Sequence, residues 1–183
     1  MKIAVLKETR TGEKRVALTP ATASQFIKLG FSCIIEAGAG YASNFSDEAY
    51  TQAGCTVVAD RNSLLSQAQL VVKVNAPTTS EIELLKSGTV VISYMYHAFN
   101  AELVSALARQ GVSAFSMDAM PRISRAQSMD ALSSQNNLAG YKAVILGAGH
   151  LAKIFPLMMT AAGTITPSRV LIFGAGVAGL QAV

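Results

Sequence analysis

Charge is scarce in this 183-residue chain: 14% of its residues are Asp, Glu, Lys or Arg, against 51% hydrophobic ones. That balance excludes a disordered, self-repelling polypeptide and leaves enough apolar surface for a large core. The net charge is only +4, and the densest basic stretch is Lys7, Arg10, Lys14 and Arg15. There is no basic stripe interleaved with aromatics, so nucleic-acid binding is not expected. Cysteine is nearly absent. Cys33 and Cys55 sit inside apolar runs, as small buried hydrophobes in a reducing compartment rather than as a disulfide. No metal site is expected. The apolar run Ile3 to Leu6 is too short for a signal peptide. The most apolar stretch, Ala143 to Ile165, contains His150, Lys153 and Pro156 and follows Lys142, so no direct membrane insertion is expected. Repeats, low-complexity tracts and linkers are missing too.

What is present is an alternation of short β-branched runs with helical stretches. Ile3 to Leu6, Phe31 to Glu36, Cys55 to Val58, Leu70 to Val74, Thr89 to Ser93 and Val112 to Phe115 read as strands. Several are apolar almost throughout, as strands covered on both faces are. Thr19-Pro20 reads as a helix start and Gly30 as its end; Ser80 and Glu83 read as a capping box, closed by Gly88; Asn100 reads as the cap of a helix ending before Gly111. The pattern predicts an α/β fold with a doubly wound, mostly parallel sheet over residues 1–132. Leu138, Tyr141, Ile145, Ala148, Leu151, Ile154, Phe155, Met158, Met159 and Ala162 recur at helical spacing. They predict a long connecting helix from about Ser133 to Ala162, within 133–165, kinked near Pro156 and presenting a Met-rich face. Residues 166–183 then open a further domain with a strand over Arg169 to Phe173.

That strand runs into Gly174-Ala-Gly-Val-Ala-Gly179, the strand, glycine turn and helix start on which a dinucleotide pyrophosphate lies. Gly174, Gly176, Val177 and Gly179 are therefore expected to bind a cofactor. A second match, Gly147-Ala-Gly-His-Leu-Ala152, falls within the helical stretch without a strand before it, and helix packing is the simpler reading. The acidic residue that holds a ribose is expected about twenty residues after the turn, outside residues 1–183, so a truncated Rossmann domain is expected and NAD versus NADP stays open by motif.

Between sheet and helix lies a polar loop, Pro121-Arg-Ile-Ser-Arg-Ala-Gln-Ser-Met-Asp-Ala-Leu-Ser-Ser-Gln135. Met120 to Asp130 closely resembles the signature loop of the proton-translocating NAD(P) transhydrogenases, in their peripheral NAD(H)-binding component. The similarity continues through Ala139-Gly-Tyr141, Met159-Thr-Ala-Ala-Gly163 and Val177-Ala-Gly-Leu-Gln181, and through Lys7-Glu8, Arg15-Val-Ala17 and Thr19-Pro20, a stretch shared with alanine dehydrogenases. The resemblance implies that Arg122, Gln127 and Asp130 meet the nicotinamide end of NAD(H), with Ile123, Ser124, Ser128, Met129 and Ser133 beside them. It implies that Gln127 bridges towards NADP(H) on a partner component. It further implies a homodimer at the cytoplasmic side of the bacterial inner membrane, working with NADP(H)-binding and membrane-spanning components. Hydride passes between two nicotinamide rings in such an enzyme, so positioning is demanded of the protein rather than acid–base chemistry.

Two rivals remain open. Lys73, His97 and Arg15 resemble the substrate-binding and acid–base residues of alanine dehydrogenases, although Val74-Asn-Ala-Pro77 replaces a more acidic turn of that family. The other rival is a non-catalytic fragment competent only for association.

Overall fold

The computed structural model describes residues 1–183, which divide into two compact units, Met1–Met120 and Pro121–Val183. The division falls earlier than the expected boundary after residue 132, because the polar loop belongs with the helix that follows it.

In the first unit the strands are β1 (Lys2–Val5), β2 (Ser32–Glu36), β3 (Thr56–Val58), β4 (Leu70–Asn75), β5 (Val90–Tyr94) and β6 (Ser113–Ser116). All pair in parallel, in the order β3-β2-β1-β4-β5-β6. The doubly wound sheet is thus as expected, with each strand displaced by a residue or so. Its helices are α1 (Pro20–Lys28), α2 (Asp47–Gln52), α3 (Arg61–Gln67), α4 (Thr79–Glu83) and α5 (Ala101–Arg109). Ile3, Val5, Cys33 and Ile35 pack on Ala23 of α1 and Tyr50 of α2, while Ala4, Leu6, Ile34, Val71 and Val91 pack on Leu64, Leu65, Ile82 and Leu107 from the opposite helices. Alternate residues of one strand therefore meet two separate cores, which is why the strands are apolar on both faces. Tyr50 is fully buried, and its hydroxyl donates to the Leu18 carbonyl at 2.7 Å.

Two helix starts differ from the sequence reading. The capping box is made by Thr78 and Glu81, with Glu81 N donating to Thr78 Oγ1 and Thr78 N to Glu81 Oε2, not by Ser80 and Glu83. Glu81 wins because its carboxylate also receives the buried Lys73 ammonium, a tertiary partner invisible locally. Asn100 stands at the N-cap position but does not cap; its Nδ2 donates to the Met95 and Tyr96 carbonyls and closes the preceding bend.

The second unit departs further. Its helix α6 spans Ala131–His150 and does not reach Ala162. Asp130 caps it, receiving Ser133 N at 2.9 Å and Ser133 Oγ at 2.6 Å. Gly147 and Gly149 weaken its last turn, and Pro156 disfavours helical backbone at Phe155 and lacks the amide needed to continue. Beyond it, β7 (Met158–Thr160) and β8 (Gly163–Ile165) form an antiparallel hairpin, with Gly163 at φ +133° in the connection. The methionines thus lie on a strand rather than on a helical face. Val170 to Phe173 carries no strand, because no neighbouring backbone pairs with it and a strand is defined by its ladder. The chain then enters α7 (Val177–Ala182).

Candidate functional site

The glycine turn before α7 has a geometry that its residue types dictate. Gly174 adopts φ +100°, a left-handed conformation that side chains disfavour. Gly176 is the N-cap of α7, in extended backbone, and a Cβ there would project into open space. A Cβ on Gly179 would collide with the Gly174 carbonyl oxygen and lie 3.6 Å from Ile172 Cγ2. The three glycines thus serve a tight turn, an unobstructed backbone and a close packing contact, the division of labour in a dinucleotide turn. Val177 follows as the first residue of α7. The residues present therefore fit a pyrophosphate approaching over Gly176. Gly147 and Gly149 are interior to α6, so the second glycine match is helix and not a phosphate loop.

The polar loop leads into the other end of the same unit. Arg122, Ile123, Ser124, Gln127, Ser128 and Met129 are exposed, and only Ala126 is buried. Residues Ser124–Met129 form a 3-10 helix, begun by Ala126 N donating to Ile123 O and closed by Asp130 N donating to Gln127 O. The Gln127 side chain is exposed. Asp130 and Ser133 are brought together directly. The two Ser133 bonds, assisted by the Arg122 charge, hold the Asp130 carboxyl below its ordinary range. The Ser133 bonds thus favour the ionised carboxylate at the start of α6, which keeps lone pairs beyond those Ser133 uses.

In the first unit, the strand order reverses direction between β1 and β4, the place where open α/β sheets receive ligands beyond the strand C-termini. That place is occupied by the chain's own charges. Glu8 accepts from Val74 N at 2.6 Å and from the Asn75 side chain, at the point where the β4–β5 register shifts. Arg15 pairs with Glu13 at 2.7 Å, a contact that lowers the Glu13 carboxyl from 4.5 to about 2. Lys73, buried, pairs with Glu81 at 2.7 Å, and Glu81 in turn receives Arg61, which also holds Glu36. His97 opens an exposed 3-10 turn after Tyr96, a residue with φ +47°. Arg15, Lys73 and His97 are thus not presented as one free constellation; both cations are compensated by carboxylates of the chain itself.

Sequence reasoning missed two residues that shape these regions. Asp118 accepts from the Met95 and Tyr96 amides and from Ser116 Oγ, pinning the bend after β5. Burial would raise its carboxyl, yet these three bonds outweigh it and the net shift is downward. The other is Gly140, the one buried residue of α6, which faces Ala178 of α7. A glycine inside a predicted helix was its only signal.

Comparison with known proteins divides the chain within α6, later than the boundary between the two compact units. The alanine dehydrogenase/PNT N-terminal domain matches residues 4–139 and the alanine dehydrogenase/PNT C-terminal domain residues 143–183. An NAD(P) transhydrogenase subunit alpha polypeptide of Rhodospirillum rubrum is 50% identical over 188 residues, covering 100% of this chain and 49% of that protein. The alanine dehydrogenase of Bacillus subtilis is 34% identical over 185 residues, covering 100% of this chain and 48% of that protein. A crystal structure of transhydrogenase from Sinorhizobium meliloti superposes with a TM-score of 0.95 at 44% identity, over 100% of this chain and 54% of that one. The chain therefore spans about half the length of the relatives it matches.

Proposed function

The chain belongs to the alanine dehydrogenase/PNT family, and from that premise we propose that it is the NAD(H)-binding portion of a proton-translocating NAD(P) transhydrogenase. Hydride passes between NAD(H) on the second unit of this chain and NADP(H) on a partner component. The observation that carries this reading is the glycine turn, whose Gly174, Gly176 and Gly179 each have the conformation or contact a dinucleotide turn requires. The higher identity to transhydrogenase subunits than to alanine dehydrogenases supports the choice between the branches.

In this reading Gly174, Gly176, Val177 and Gly179 take the pyrophosphate, and Ile123, Ser124, Ser128, Met129 and Ser133 line the nicotinamide end. The bound nicotinamide supplies the hydride chemistry itself. Arg122 offers a planar fork of donors, and Asp130, kept ionised by Ser133, accepts from hydroxyls. Gln127, exposed, offers an amide to align the two rings. Proton movement belongs to a membrane-spanning component; no helix of this chain is long and apolar enough to cross a membrane. We place the chain at the cytoplasmic face of a bacterial inner membrane as a homodimer. The exposure of Leu151, Met158 and Met159 supports self-association.

Single-turnover hydride transfer to the NADP(H)-loaded partner, beside an NADH titration, tests the reading. Gln127→Asn keeps the amide but withdraws it by one methylene, so the transfer rate is expected to fall well beyond about twofold, roughly 0.4 kcal/mol, with NADH affinity retained. A transfer rate within that limit would leave the loop as a mere surface connection.

A further inference from the structure

α6 buries a glycine where a helix would ordinarily bury a large side chain. Its bulky residues Leu138, Tyr141 and Ile145 are 59%, 58% and 49% exposed, whereas Gly140 is buried against α7. A Cβ on Gly140 would overlap the Ala178 carbonyl oxygen and stand 2.9 Å from its carbonyl carbon and 3.0 Å from its Cα. The two helices thus meet backbone to backbone with no side chain between them. Beside this contact, Asn137 Nδ2 donates to Gln181 Oε1 at 2.9 Å. Residues 137 and 140 and residues 178 and 181 are each three apart, so contact and hydrogen bond share one face of each helix.

We propose that Gly140 is a positioning residue of the cofactor site, fixing the glycine turn at a set distance from the Arg122–Asp130 loop. This rests on the function proposed above. Asp130 caps α6 and Gly140 lies ten residues along it, a span of about 15 Å of rigid helix. A dinucleotide that touches loop and turn at once gains from the second contact only if that span matches its own length. Moving α7 off Gly140 leaves each half-site intact but spoils their spacing. Glycine weakens a helix interior, and at Gly149 of the same helix an added Cβ would meet nothing within 4 Å, so close approach is required at Gly140 and not at Gly149.

The test is a titration of the isotope-labelled chain with NADH to about 10 mM, where millimolar dissociation constants still register by amide shifts. The Gly174 and Gly176 amides report the turn, and those of Ser128 and Met129 report the loop. In the unaltered chain both sets are expected to move with one common constant, and in Gly149→Ala that constant stays within about twofold. Gly140→Ala raises it about tenfold or more and removes the agreement between turn and loop. Gln181→Asn weakens binding about threefold, and exchanging the pair, Asn137→Gln with Gln181→Asn, restores it. That exchange decides the matter if Gly140→Ala does not fold. Binding by Gly140→Ala equal to the unaltered chain, or equal impairment by Gly149→Ala, would overturn the positioning role alone. No shift in the unaltered chain would overturn this role, since loop and turn would then share no ligand, and would leave the proposed function to the hydride-transfer test.

Discussion

Residues Met1–Met120 and Pro121–Val183 are held together by different means. The first unit has two apolar cores, one on each face of its sheet, and buries even charged groups such as Lys73 and Glu81. In the second only Ala126 and Gly140 are buried, while Leu171, Phe173 and Met159 are 76%, 91% and 79% exposed. The polar loop and the glycine turn both lie in the unit that lacks a core. Its local geometry comes from caps, hydrogen bonds and glycine contacts, which fix positions without large burial. The contrast teaches that a well-packed scaffold and a well-shaped site need not share the same residues.

Hydrogen exchange gives that contrast its largest measurable form. Amides of β1 and β4 are expected to exchange only through global unfolding, at about 5–15 kcal/mol, and those of α7 through local opening at about 0–2 kcal/mol. Equal protection in the two units would break the comparison. Next comes Glu81→Ala, which strands the Lys73 ammonium in a site where its side chain is 2% exposed. A loss of about 3–5 kcal/mol in denaturant unfolding of the first unit is expected, whereas Lys73→Met with Glu81→Leu should cost less, its remaining loss being the Arg61 pair and the Thr78 cap. A negligible loss in Glu81→Ala would mean that water reaches the pair.

How legible these two units were follows from the same difference. The six parallel strands were readable because stretches such as Ile3 to Leu6 or Cys33 to Ile35 are apolar on both faces, and both faces are covered within the chain. The stretch after His150 was misread because Leu151, Ile154, Phe155, Met158 and Met159 repeat at helical spacing, while Pro156 and Gly163 direct the backbone into a hairpin. Val170 to Phe173 has strand composition, but a ladder needs a second backbone that composition does not supply. Of the candidate site, the turn was legible because each glycine has a local reason. Gly140 was not, because what it avoids lies 38 positions away in sequence, at Ala178. The Glu81 pairing escaped for the same reason: Ser80-x-x-Glu83 and Thr78-x-x-Glu81 both satisfy the capping pattern, and Lys73 decides between them.

A smaller effect tests whether the first core tolerates an orphaned acceptor. Tyr50→Phe removes the donor to the Leu18 carbonyl without changing ring packing. The expected cost is about 1–2 kcal/mol by denaturant midpoint, with no change in the exchange of α6 or α7. A response in the second unit would show the two to be one cooperative block.

Acid is expected to separate the units most finely. In the first, the Glu13 carboxyl is lowered from 4.5 to about 2, foremost by its hydrogen bond from Arg15 and helped by Asn75. A carboxyl depressed in the folded state stabilises fully above its unfolded value and progressively less as pH falls through the folded one. Stability from the Glu13 pair is therefore present above about pH 4.5 and lost between there and about pH 2. Both partners are partly solvated, so the change should be modest and shrink in high salt. In the second unit Asp130 is also depressed, from 3.8, chiefly by Ser133. Its protonation removes an ionised N-cap from α6, so fraying at Ser133 and Ser134 should begin as pH falls below that value while β1 and β4 stay protected. Carboxyl titration by NMR beside amide exchange over pH 2–6 reads both events. Replacing Arg15 with Met should return Glu13 towards 4.5 and leave Asp130 unmoved, since no group of the first unit contributes to its shift. An Asp130 shift in that variant would tie the site electrostatically to the scaffold, and the division of labour between the units would fail.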